Sequence, residues 1–99
     1  MRYAAFSELA EGDLAEIWVA IAQDDIETAD RFLGEFRVRA QRLAEHPFMG
    51  VARPDLGEEV RSLPHGAYLV IYRPTSFGVG IARVVHGSRD LERVIVPRE

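Results

Sequence analysis

Arg61, Arg83, His86 and Arg89 are the side chains of this sequence best suited to meet an anionic or polar partner, and they gather in its second half. A guanidinium offers a planar fork of donors that grips a carboxylate or phosphate in two places, and an imidazole changes charge near neutral pH. Each also has a plainer reading. Arg83 is the one charged residue in the apolar run GVGIARVVH, so it can be paired internally with a carboxylate such as Glu59 or Asp90. His86 precedes Gly87 and can tie down a strand exit by bonding to backbone. Other chemistries lack their parts. His46, His65 and His86 are scattered without ligand spacing and there is no cysteine, so no metal site is expected. The Ser and Thr residues have no His and Asp at a suggestive spacing, and no Gly-rich phosphate loop occurs. No cofactor is expected.

The charge balance narrows the partners further. The 99 residues carry 12 basic and 16 acidic side chains, a formal net charge of −4, and every basic residue is Arg. Tracking a phosphate backbone normally rests on clustered cations, so direct sequence-specific nucleic-acid binding is not expected. Residues 1–45 hold ten acids against five arginines, whereas residues 46–99 hold six against seven. Any anion-facing surface therefore belongs to the second half. The opening MRYAAFSELAEGD lacks a basic start and a long apolar stretch, and no apolar run approaches the roughly 18 residues of a membrane span. These features fit a cytoplasmic protein, and the length fits one domain spanning residues 1–99.

The elements that must position these side chains can be read from periodicity. YAAF suits a short strand, and Ser7 followed by Glu8 and Glu11 suits a helix start. Ala10, Leu14, Ile17, Trp18, Ile21 and Ala22 recur at helical steps and form one apolar stripe. Gln23-Asp24-Asp25 interrupts it, and a second stripe follows through Ala29, Phe32, Leu33, Phe36, Ala40, Leu43 and Ala44 until Pro47. Gly34 within it costs about 1 kcal/mol relative to Ala unless close packing requires it. The connector from His46 to Glu58 is rich in Pro and Gly. Three β-branched or aromatic runs come next, Glu59–Leu63, Tyr68–Arg73 and Val79–Val85, separated by Pro64-His65-Gly66 and by the five residues 74–78. Alternation would set Tyr68, Val70 and Tyr72 on one face and Ile81, Arg83 and Val85 together on another. The closing DLERVIVPRE reads equally as a short helix or an edge strand. The fold class expected is α+β, an N-terminal antiparallel helical hairpin packed on one face of a small, mostly antiparallel sheet.

In order and spacing, these segments resemble ParE-type toxins of the ParE/RelE superfamily over nearly the whole length. The resemblance runs through FSELAEGDLAEIW, ADRFLGEF and LAEHPFMGVARPDL, then VRSLP, YLVIYR and GIARVVHGSRDLE. Its most specific pieces are VRSLP followed by YLVIYR and the ending RVVHGSRD. One departure is Val51, where the family often carries a basic residue after the glycine; Arg53 is near enough in sequence to take over that role. The resemblance implies the toxic half of a type II toxin-antitoxin pair, silenced by a ParD-like antitoxin and directed at DNA gyrase, which such toxins trap with its DNA cleaved. Arg61, Arg83, His86 and Arg89, which gather on the sheet and its exit in the less acidic half, are the candidates for target contact. RelE-like relatives instead use basic and acid-base residues on this sheet to cut messenger RNA by 2′-hydroxyl attack. That alternative needs a complete set, and here there is no Lys and no tyrosine after Tyr72. A third reading is an adaptor that binds the antitoxin without being toxic.

Trp18, Tyr68 and Tyr72 are the candidates for antitoxin contact, since large aromatics anchor interfaces as readily as cores. If the helices cover one face of the sheet only, the opposite face needs a lid. An antitoxin tail could supply it by folding on contact, adding a strand at the edge and a helix in the groove beside the hairpin. Self-dimerisation through the same surface is the simpler alternative.

Overall fold

Helix formation begins at Ser7, whose hydroxyl accepts the Ala10 N–H at 3.0 Å and donates to the Ala82 carbonyl at 2.7 Å. One side chain thus caps a helix and fastens it to a strand 75 residues away in sequence. Asp25 starts the second helix, accepting from the Glu27 N–H and the Thr28 hydroxyl. The Thr28 bond and then the Glu27 bond hold the Asp25 carboxyl below its usual pKa. The computed structural model describes residues 1–98. Among these the elements are β1 (Tyr3–Phe6), α1 (Glu8–Ala22), α2 (Ile26–Glu45), β2 (Val51–Ala52), β3 (Arg61–His65), β4 (Tyr68–Thr75) and β5 (Gly78–His86), followed by a 3-10 turn at Leu91–Arg93.

The strands form one sheet in the order β1-β5-β4-β3-β2. β1 runs parallel to β5, and the other neighbours are antiparallel. The expected α+β architecture is therefore present, with both helices on one face. Between helices and sheet lies the main core, in which Ile17, Phe36, Leu43, Val70, Tyr72, Val79, Ile81 and Val84 are buried. Gly78 is required where β1 meets β5. Its φ is 144°, and a Cβ there would sit 2.2 Å from the Tyr3 carbonyl oxygen.

Four expectations are corrected. Pro64 and His65 belong to β3 and not to a turn; the hairpin closes through Gly66 and Ala67, with Gly66 at φ 59°. β3 tolerates Pro64 because β2 pairs only with Arg61 and Ser62, so no ladder partner faces the missing N–H. Second, the connector holds the two-residue strand β2. Third, Ile81 does not share a face with Arg83 and Val85. The register shifts from Ile71↔Arg83 to Tyr72↔Ile81, so Ala82 is an extra residue and β5 bulges. The cause lies at the strand's edge. β1 stops there, and the Ser7 N–H and hydroxyl take the Ile81 and Ala82 carbonyls in its place. Fourth, the sheet's second face is not open. Val60, Ile71 and Val85 on that side are buried under Val94, with Leu56, Leu69, Leu91 and Val96 packed around them. Of the two readings of the tail, the short helix is present as a 3-10 turn at Leu91–Arg93, and residues 94–98 form no edge strand but cross this face as a strap.

Candidate functional site

With the second face closed, one accessible apolar surface is the groove between the two helices. Phe6, Leu14 and Phe36 lie at its base, and Ala15, Trp18, Val19 and Leu33 line it. Its volume is about 570 Å³, and Glu11 from α1 and Arg37 from α2 contribute charge. The helical spacing explains the arrangement. Leu14 and Trp18 are four residues apart on α1, and Leu33, Phe36 and Arg37 sit within one turn and a step of α2, so both sets project towards the same seam. Trp18 is half-buried, and its indole N–H donates to Asp30 Oδ1 at 2.9 Å across the hairpin. The ring is therefore held in place while part of it faces solvent. An apolar groove with a fixed aromatic wall suits an amphipathic helix laid along it.

Tyr72 does not belong to any accessible surface. It is fully buried, and its hydroxyl donates to the Pro47 carbonyl and accepts the Gly50 N–H, each at 2.8 Å. Burial pushes the phenol up, while the Gly50 bond pulls the other way. Gly50 must be glycine, since a Cβ would lie 2.6 Å from the Ser62 carbonyl and 2.7 Å from the Tyr72 hydroxyl. Tyr72 thus anchors the connector to the sheet, a structural duty in place of the antitoxin contact expected of it. Tyr68 is half-buried and packs edge-on against Phe32 and His86 on the helix side.

Arg83 is likewise occupied. Its guanidinium bonds both Asp13 carboxylate oxygens, at 2.8 and 2.9 Å, and its remaining terminal nitrogen donates to the Ile95 carbonyl. Both side chains are about 10% exposed, and the Asp13 bond raises the Arg83 pKa. The partner is Asp13 of α1 and neither Glu59 nor Asp90. Asp13 also accepts the Val84 N–H, capping the part of β5 that lies beyond β1. As it stands, Arg83 has no face to offer a target.

Arg61 bonds the Gly50 carbonyl at 2.6 Å and lies 4.9 Å from the centre of the Phe48 ring, which is exposed. His86 is exposed, accepts the Ser88 N–H at 3.1 Å through Nδ1, and so braces the strand exit. Arg89 is exposed on that turn. The structure does not bring the four together. Arg61 holds the connector at one end of the sheet, Arg83 faces the strap, and His86 and Arg89 lie at the exit of β5. Val19 and Leu33 were absent from the expected site although the sequence carried a signal for them: both are apolar at the margin of their helix stripes. Among the described residues no cluster of His, Asp or Glu could hold a metal ion, and no helix is long and apolar enough to cross a membrane.

Comparison with known proteins agrees with this fold. Residues 4–91 match the family model described as the ParE toxin of the type II toxin-antitoxin system, parDE. Toxin ParE1 of Caulobacter vibrioides is 33% identical over 85 residues, covering 85% of this chain and 88% of that protein. A solved structure titled as the chromosomal ParDE TA system from P. aeruginosa superposes with a TM-score of 0.71 at 19% identity, covering 87% of this chain and 96% of the other. An α-hairpin on a five-stranded sheet, the order of its sequence segments and a family match over nearly all of its length together place this chain in the ParE toxin family of type II toxin-antitoxin systems.

Proposed function

We propose that this ParE-family toxin arrests growth by binding DNA gyrase in the cytoplasm, without a cofactor or bond-making chemistry of its own, and that a ParD-like antitoxin silences it. The observation that carries the antitoxin half is the groove between α1 and α2. On a chain of −4 net charge it is lined mainly by apolar side chains, with a fixed Trp18 among them. Such surface is matched by an antitoxin segment that is disordered alone and folds into an amphipathic helix on contact. The sheet's second face plays no part in this capture, because residues 91–98 cover it. For the target, the exposed Arg89 and His86 at the exit of β5 and the Arg61–Phe48 pair at the connector are the contacts proposed.

Coexpression tests the reading. Strong expression alone should stop growth, and an adjacent-gene antitoxin should restore it. Leu33→Asp and Val19→Asp should keep the fold and toxicity but escape neutralisation. Harmless expression of the parent chain would favour the adaptor, and neutralisation of both groove variants would remove the groove from the account.

A further inference from the structure

We infer that residues 91–98 form a latched strap, a unit that can leave the sheet without unfolding the helical layer. Its attachment differs in kind from that of every strand. The backbone hydrogen bonds it makes among the described residues stay within its own turn, Arg93 to Asp90 and Val94 to Leu91. None extends the sheet. What holds it is an apolar underside, with Val94 seated over Ile71 and Val85, and two arginines that reach up from the sheet to its carbonyls. Arg83 of β5 donates to Ile95, and Arg73 of β4 donates to Pro97.

The two latches are anchored independently. Arg83 is fixed by Asp13 of α1, whereas Arg73 is fixed by the Glu58 carbonyl in the connector. Loss of either should loosen the strap and leave the other anchor intact. A segment fastened by side chains over an apolar floor, with no ladder of its own, belongs to the low-stability end of a structure's local openings. Its release would uncover the apolar floor formed by Val60, Ile71 and Val85.

Limited trypsin digestion of the full chain tests this. Arg93 is exposed but Val94, the residue after the scissile bond, is buried, so cleavage there requires the strap to lift. Arg73→Ala should speed cutting after Arg93 by about tenfold or more, the scale of one lost charge-assisted hydrogen bond, and Asp13→Asn, which also leaves the buried Arg83 charge without its carboxylate, should speed cutting after Arg93 more than cutting within α2. In Arg73→Ala, cutting after Arg31, Arg37 and Arg42 in α2 and the Trp18 emission should stay as in the parent. An unchanged rate at Arg93 in both variants would overturn the latch. Equal acceleration within α2 in both would show that the strap opens only with the whole molecule, which also overturns it.

Discussion

At the scale of the residue, three of the four side chains that first suggest chemistry, Arg61, Arg83 and His86, hold parts of the fold together. Arg83 illustrates why. A charge placed in an apolar strand has to be paired, and that much is legible in the sequence; the identity of its partner is not, because Asp13 lies 70 residues away and meets it only once α1 is docked. Arg83→Ala leaves Asp13 buried and uncompensated, which costs about 3 kcal/mol or more. Denaturant melts of the variant should show that loss, and an unchanged midpoint would contradict the pairing. His65 gives a pH-dependent counterpart. It packs edge-on against Phe32 and Phe36 near Arg39, and burial first, then Arg39, lowers its pKa from 6.5. The unfolded chain therefore takes up the proton more readily than the folded one, so the contribution of His65 is lost as pH falls below about 6.5. Between pH 7 and 5 the parent should lose more stability than His65→Gln, measured by urea melts at each pH. Parallel curves would remove His65 as the cause.

At the scale of the element, local signals and distant pairings part company. The N-cap at Ser7, the break at Asp25 and the stop near Pro47 are local, and both helices begin and end where those residues put them. β2 is two residues long and exists only because Ser62 and Arg61 lie beside it. The bulge at Ala82 is equally silent in sequence, since a small apolar residue continues an apolar run; it arises from a ladder that changes partner where β1 ends. Antitoxin docking was expected partly on a face that proves closed, because the strap's VIV reads as a strand and gives no sign of lying across the sheet. Gly34 yields a prediction at this scale. It is exposed inside α2, and a Cβ there would meet nothing within 4 Å. Gly34→Ala should therefore stabilise by about 0.5–1 kcal/mol and raise the melting temperature by a few degrees. A lower melting temperature would mean that close packing at this point had been missed.

At the scale of the whole molecule, the two sides of the sheet are finished in different ways. One side is closed by the helical hairpin, whose outer seam remains an apolar groove, and the other by the chain's own last described residues. The fold class and the family resemblance were legible because they depend on the order of segments along the whole chain. Which apolar residues stay exposed depends on packing between segments, and only the folded arrangement settles it. The proposed binding function is tested most directly with purified gyrase and supercoiled DNA, protein added in increasing amounts. Accumulation of gyrase-linked, cleaved DNA, suppressed when the antitoxin is added first, is the predicted result. Gyrase activity untouched, with codon-positioned cuts appearing in messenger RNA on translating ribosomes, would contradict it.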